Sequence, residues 1–145
     1  ITHSETKKTS AEKLGVNHVL VSSNEAEMEQ AANSMDVIIN TIPVKHDVTP
    51  YMPLLDVNGT LVVVGQIGAL DEVNTMPLIF GNRSVAGSLI GGIKETQEVI
   101  NFCAEHNILP DCEIIPIQKV NEAFKRLEDG AVPHRLVIDM STLEV

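Results

Sequence analysis

The chain has 145 residues, of which 43% are apolar and 21% are charged; this is the composition of about one globular domain and excludes a disordered chain. The net charge of -10 argues against nucleic acid and anionic membranes as partners. No apolar run reaches the roughly 18 residues of a membrane span, and no secretory signal is visible. Two cysteines are too few for a disulfide framework, so we expect a reduced, cytoplasmic setting. The chain begins with Ile1 and not with Met, and we therefore expect the natural N-terminus to be missing.

Strands and helices alternate from the start of the chain. Residues 1–4 predict the end of a strand, residues 5–14 a helix and residues 18–22 a short strand. Asn24 and Glu27 resemble a capping box at the start of the next helix. The apolar face of that helix is predicted at the spacing i, i+3, i+4, i+7, on Met28, Ala31, Ala32 and Met35.

Two continuous apolar runs follow, at residues 37–42 and 61–64. Such runs predict strands that are buried on both faces, as in parallel sheets. Between them, residues 48–55 predict a helix, and Asn58-Gly59 predicts a turn.

The same alternation continues to the end of the chain. Residues 84–90 predict a strand that ends at Gly91-Gly92, and residues 113–117 and 135–140 predict two more strands. Two helices are predicted between these strands by the apolar faces Thr96, Val99, Ile100, Cys103 and Val120, Ala123, Phe124, Leu127. Short connections between strands and helices imply right-handed crossovers and an α/β fold, a parallel sheet with helices on both faces.

In open parallel sheets, ligands bind beyond the carboxyl ends of the strands. The predicted strand ends are rich in small and hydroxyl-bearing residues: His3-Ser4, Thr41-Ile42-Pro43, Gly65-Gln66-Ile67 and residues 88–92. Glycine at these positions lets a flat ligand approach the backbone closely. The alternative is that these glycines only make turns.

The residues around the first predicted strand end indicate which dinucleotide such a site prefers. The phosphate-binding signature G-x-G-x-x-G is absent, and the chain begins at what we predict to be the second strand of the sheet. NAD-specific sites often carry Asp or Glu at the end of that strand, whereas here it ends in Thr2-His3-Ser4 with lysines just beyond. Hydroxyl and ammonium groups can donate hydrogen bonds to the 2′-phosphate of NADP. The negative charge of Glu5 would oppose this preference if the side chain points into the site. The sequence therefore predicts NADP.

Several segments together resemble the cinnamyl alcohol dehydrogenase type of the zinc-dependent medium-chain alcohol dehydrogenases. The resemblance covers nearly the whole chain, and its first two segments are the most specific. The segments are residues 39–51, 54–65, 84–92 followed by 95–97, 120–124 and 135–139.

The resemblance implies a two-domain enzyme of which this chain is the C-terminal part. Residues 1–91 would be a partial NADP-binding Rossmann domain, an incomplete doubly wound parallel sheet lacking its first strand and phosphate turn. Residues 92–145 would complete a GroES-like catalytic domain. The zinc ligands of the family lie upstream, so no metal ligand and no catalytic residue is predicted here, and we expect the chain alone to be inactive. The family further implies hydride transfer between NADP(H) and a primary alcohol or aldehyde, and a homodimer through the edge strand at residues 84–90.

The resemblance also implies which residues meet the cofactor. His3, Ser4, Lys7 and Lys8 match the region that holds the 2′-phosphate, with the choice between the two lysines open. The rest match segments along the ribose and nicotinamide, or the edge of the cleft: Thr41, Ile42, Val64, Gly65, Gln66, Ser88, Leu89, Ile90 and Arg135.

Two other functions compete with this one. The first is a stand-alone nucleotide-binding regulatory module without catalysis, and the second is a scaffold that associates through its apolar strand edges. A zinc site at Cys103, His106 and Cys112 is disfavoured because a structural site usually has four ligands. His46 is expected to be an ordinary loop histidine, since no nucleophile pattern accompanies it.

Overall fold

The structure is a computed structural model that describes residues 1–3, 5–70, 72–130, 132 and 135–143. The chain divides into two compact units, Ile1–Ile90 and Gly91–Val145, and each is described by itself. The assignment of residues 1–91 and 92–145 to two domains of a larger enzyme stays a prediction. Within the described ranges, no helix is both long enough and apolar enough to cross a bilayer.

The first unit is built around a three-stranded parallel sheet in the order β1-β2-β3. Before β1, Thr2 and Val21 form a single parallel bridge. The predicted strand at residues 18–22 is thus reduced to this one bridge. The elements in chain order are α1 (Glu5–Lys13), α2 (Glu25–Gln30), β1 (Met35–Asn40), a 3-10 helix (Thr49–Leu54), β2 (Leu55–Val63), α3 (Met76–Gly81) and β3 (Ser84–Gly87). The predicted α/β alternation with a parallel sheet is confirmed.

Helix α2 begins as predicted but ends earlier. Asn24 caps it, because the Asn24 Oδ1 accepts a hydrogen bond from the Glu27 N–H at 3.3 Å. Asn33 then takes a left-handed conformation with φ of 54°, which asparagine tolerates better than most residues. This turn sends the chain into β1. Met35 is therefore the first residue of a strand, and its predicted place on a helix face is wrong.

The predicted turn at Asn58-Gly59 is a bulge inside β2. The register between β1 and β2 shifts between Met35 and Val37. Asn58 has a φ of 65°, and Gly59 is packed so closely that a Cβ there would lie 3.0 Å from the Met35 carbonyl oxygen. Any Cβ at this point would thus press on backbone atoms of both strands, and the strand continues beyond it.

The core of the first unit lies on one side of β1 and β2. Its buried side chains are Val48, Met52, Leu55, Leu61 and Ile67, with Ile38 packed against them. Because side chains alternate along a strand, Val37 and Ile39 point away from this core and are 57% and 64% exposed. The prediction that β1 is buried on both faces is therefore wrong for this structure.

Strand β3 is shorter than predicted. It ends at Gly87, which pairs with Val63, the last residue of β2. The Ser88 N–H makes one more bond, to the Val63 carbonyl at 3.0 Å. Residues 88–90 therefore follow β3 and do not belong to it, because the neighbouring strand β2 ends at Val63.

The second unit contains α4 (Ile93–Glu105), β4 (Cys112–Pro116), a 3-10 helix (Ile117–Lys119), α5 (Val120–Glu128), β5 (Arg135–Asp139) and a last 3-10 helix (Met140–Thr142). Strands β4 and β5 pair in parallel. Helix α5 is joined to β4 by Arg126, which donates two hydrogen bonds to the Glu113 carboxylate at 2.8 and 2.7 Å. The hydrogen bonds from Arg126 to Glu113 raise the pKa of the guanidinium.

Candidate functional site

The carboxyl ends of β1 and β2 meet at one point of the first unit. The Asn40 carbonyl oxygen, at the end of β1, accepts hydrogen bonds from Val64 N–H at 3.0 Å and from Gly65 N–H at 3.3 Å. The predicted residues Val64 and Gly65 are thereby fixed to the end of β1. Ser88 is bonded to the end of β2, because its N–H donates to the Val63 carbonyl.

Gly65 touches the segment after β1 directly. A Cβ on Gly65 would overlap the Ile42 carbonyl oxygen and would lie 2.8 Å from the carbonyl carbon of Ile42 and 3.1 Å from that of Thr41. The two strand ends are therefore packed backbone against backbone, and only glycine leaves room for this contact. The alternative that this glycine only makes a turn does not explain the contact.

A cavity of about 300 Å³ opens beside β1. Three predicted site residues, His3, Thr41 and Ile42, line it together. The remaining wall is formed by Ile1, Thr2, Ser22, Met35, Val37, Ile38, Ile39, Asn40, Tyr51 and Leu61. The lining combines apolar side chains with hydroxyl and amide groups, which is the usual make-up of a small-molecule site.

The first predicted strand end is held by the segment around Ser22. The His3 Nδ1 lies 3.4 Å from the Ser22 Oγ, and the Ser23 hydroxyl donates to the His3 carbonyl at 3.5 Å. Ser4, predicted to meet a 2′-phosphate, lies outside the described residues. His3 is thus an exposed residue that lines the cavity, and its ring lies next to a hydroxyl group.

The two candidate lysines on α1 differ in their surroundings. The Lys8 Nζ lies 3.6 Å from the Glu27 Oε1 and is half-buried, whereas Lys7 is exposed. The Val21 N–H donates to the Glu27 Oε2 at 3.0 Å, and this bond, together with the charge of Lys8 and the Asn24 amide, lowers the pKa of Glu27. Glu27 is therefore an ionised partner that engages Lys8 and leaves Lys7 to solvent.

The other predicted residues are placed less closely. Gln66 is exposed after Gly65. Leu89 and Ile90 are both 89% exposed and follow the end of β3. Arg135 begins β5 in the second unit, opposite Cys112. Their contact with a cofactor stays a prediction.

Two polar residues of this site were missed by sequence reasoning. Asn40 is buried, with 7% of its surface exposed, and its amide nitrogen lies 2.9 Å from the Nε2 of His46. The available signal for Asn40 was an amide residue inside the largely apolar run at residues 37–42. The contact with His46 depends on the path of the loop, which no local pattern encodes.

No group of three or more His, Cys, Asp or Glu side chains that could hold a metal ion occurs within the ranges that the structure describes. Cys103 is half-buried on α4 and Cys112 is exposed at the start of β4.

Comparison with known proteins identifies the relatives of this chain. A profile of the zinc-binding dehydrogenase family matches residues 1–105. Cinnamyl alcohol dehydrogenase 2 of Rauvolfia serpentina is 48% identical over 141 residues, which are 97% of this chain and 39% of that protein.

Two solved structures have the same fold. A cinnamyl alcohol dehydrogenase of Sorghum bicolor superposes with a TM-score of 0.86 at 34% identity, covering 97% of this chain and 40% of the other. The CAD from Helicobacter pylori, complexed with NADP(H), has a TM-score of 0.76 at 36% identity and covers 99% and 41%. The chain thus spans well under half the length of the relatives that it matches.

Proposed function

The chain belongs to the zinc-binding dehydrogenase family, and from this premise we propose that it is the cofactor-binding part of an NADP-dependent alcohol dehydrogenase. The reaction would transfer a hydride between NADP(H) and a small primary alcohol or its aldehyde. The observation that carries the proposal is the backbone contact between Ile42 and Gly65 at the joined ends of two parallel strands. A ligand at this edge is the general expectation for open parallel sheets.

In this proposal the chain positions the cofactor and holds no reacting group of its own. Thr41 and Ile42 with Val64, Gly65 and Gln66 would lie along the ribose and nicotinamide, and the backbone of residues 88–90 along the carboxamide. A side chain on Gly65 would widen the crevice, so the glycine keeps the ring close to the strand ends. The bound nicotinamide supplies the hydride chemistry, and the protein supplies binding and orientation.

The family name implies zinc. The described residues offer no cluster of metal ligands, so the part of the reaction proposed for this chain is the binding and orientation of the cofactor. Thr41 and Gln66 would act by hydrogen bonding to the cofactor. A cytoplasmic location stays a prediction.

We expect the native protein to prefer NADPH over NADH, and Lys7 to contribute more to this preference than Lys8. Glu27 already neutralises Lys8 at 3.6 Å, whereas an exposed ammonium on the first turns of α1 is available to a 2′-phosphate. Lys7→Ala should lower the NADPH to NADH ratio of kcat/KM about tenfold, and Lys8→Ala about threefold or less.

The measurement is kcat/KM for both dinucleotides in the parent, the two lysine variants and Ser4→Asp, which places a negative charge at the predicted phosphate position. Lys13→Ala, at the far end of α1, is the matched control. A parent that uses both dinucleotides equally well, or variants that keep the full preference, would contradict the NADP assignment.

We further propose that the protein forms a homodimer through the edge of its sheet. Strand β3 is at the end of the order β1-β2-β3, and all four of its residues are exposed. Its run Ser84-Val85-Ala86-Gly87 carries no charge that would oppose pairing with a second copy. The strand is shorter than the predicted segment of residues 84–90, which confines the proposed pairing to Ser84–Gly87.

Sedimentation at micromolar concentration should therefore give a dimer for the parent and a monomer for Val85→Lys. The control is Val57→Lys, since Val57 is exposed in the bulged part of β2 and not on the sheet edge. Dissociation by both substitutions alike, or by neither, would count against pairing through β3.

A further inference from the structure

The buried amide of Asn40 links both strand ends of the proposed cofactor site. Its Oδ1 accepts a hydrogen bond from the Ile42 N–H at 3.2 Å, and its main-chain carbonyl accepts from the N–H groups of Val64 and Gly65 at 3.0 and 3.3 Å. One residue thus bonds to the segment after β1 through its side chain and to the segment after β2 through its backbone. We propose that Asn40 and His46 are positioning residues that hold these two segments in their cofactor-binding geometry before the cofactor arrives.

His46 fixes the orientation of the Asn40 amide. The Nε2 of His46 lies 2.9 Å from the Nδ2 of Asn40, and the Nδ1 lies 2.7 Å from the Val44 carbonyl oxygen. Because an amide nitrogen only donates, the Nε2 accepts, and the ring carries its proton on Nδ1, from which it donates to Val44. With its nitrogen turned to His46, the amide has its oxygen turned to Ile42. The imidazole therefore connects the loop at residues 41–46 to the end of β1 through its contact with the Asn40 side chain.

Burial makes this arrangement sensitive to loss of the ring. Asn40 is 7% exposed, and no buried side-chain nitrogen or oxygen of the described residues lacks a hydrogen-bond partner. Removal of the imidazole would leave the Asn40 Nδ2 without its partner, which costs more than the net value of the bond. The amide would then rotate, and the Ile42 N–H would lose its acceptor. Since Ile42 and Gly65 are in backbone contact, movement of one segment displaces the other.

The inference rests on the proposed function, because it assigns the two segments to a cofactor. It concerns neither the chemistry nor a direct contact with the dinucleotide. Asn40 and His46 act through Ile42, Val64 and Gly65, so their loss should weaken cofactor binding and leave the turnover of the bound complex nearly unchanged.

The first measurement is amide hydrogen exchange of the native protein without cofactor. His46→Ala should speed exchange at Ile42 about tenfold, because that amide loses its fixed acceptor, and Asn40→Ala at least as much. His46→Gln should restore slow exchange, since its amide oxygen can accept from Asn40. His18→Ala, which removes an exposed histidine from another loop, is the control.

The second measurement is the Kd for NADPH by nicotinamide fluorescence, with KM and kcat, on the same proteins. We expect His46→Ala to raise the Kd and KM about five- to tenfold at nearly constant kcat, with His46→Gln and His18→Ala close to the parent. Unchanged exchange at Ile42, or faster exchange with an unchanged Kd, would overturn the inference. A parent that binds neither dinucleotide would overturn the proposed function, and the exchange rates would still decide whether Asn40 and His46 hold the two strand ends.

Discussion

Replacing Gly65 with alanine should separate the two strand ends and weaken NADPH binding by at least tenfold. The added Cβ would meet carbonyl groups of Ile42 and Thr41, which are backbone and cannot swing aside as a flexible side chain would. Relief of this overlap requires Gly65 to move from Asn40, which breaks the bonds from the N–H groups of Val64 and Gly65. Overpacking of this kind costs about 1–3 kcal/mol of the free energy of unfolding.

The measurements are the Kd for NADPH and the midpoint of thermal unfolding. Gly87→Ala is the matched control, since Gly87 also lies on the sheet and a Cβ there would have no atom within 4 Å. If the two alanine variants bind NADPH equally well and unfold at the same temperature, the close contact between the strand ends has no part in binding or stability.

The largest loss of stability is expected for Leu61→Ala. Leu61 is 0% exposed and is part of the core cluster with Met52 and Leu55. Its removal leaves a cavity between β2 and the 3-10 helix, and such substitutions reduce the free energy of unfolding by about 2–5 kcal/mol.

Urea unfolding of the two proteins measures this difference through the shift of the midpoint at constant slope. Leu14→Ala is the control within the same unit, because Leu14 is 74% exposed after α1. A loss below about 1 kcal/mol for Leu61→Ala, or an equal loss for Leu14→Ala, would show that the cluster is not the main source of stability.

The general fold could be predicted because it depends on patterns along the chain. The apolar run before Pro43 and the run that ends at Gly65 predict two strands, although β1 has one exposed face in the structure, and helices separate these strands from the next ones. Short connections then leave parallel pairing as the simplest arrangement. The parallel β-α alternation was confirmed on these grounds.

Strand ends and helix ends were predicted less well, because they depend on partners distant in the sequence. β3 stops because its neighbour β2 ends at Val63. The residue types at positions 88–90 give no sign of this strand end. In the same way, α2 ends before Asn33, whose N–H and that of Ser34 bond to the carbonyls of Pro53 and Leu54.

The residues of the candidate site differ in the same way, between those predictable from local patterns and those that depend on distant partners. Gly65 was predicted from its place after an apolar strand, whereas Asn40 and His46 require knowledge of how the loop folds back. The choice between Lys7 and Lys8 likewise depends on Glu27, which is on another helix. Contacts across helices and loops are set by the tertiary fold, and a single sequence does not display them.

The parallel pairing of the strands has a consequence for how fast the chain folds. In the part of the chain that the structure describes, every strand pair is parallel; Ile38 pairs with Leu61, Leu61 with Val85 and Cys112 with Arg135. No β-hairpin is available among these pairs to start a sheet from neighbouring residues, because the paired residues are 20 or more positions apart in the sequence. The entropy of closing such loops is lost before any ladder bond forms. We therefore expect refolding in milliseconds to seconds, slower than helical proteins of similar stability, with the strand edges open to aggregation until the crossovers close.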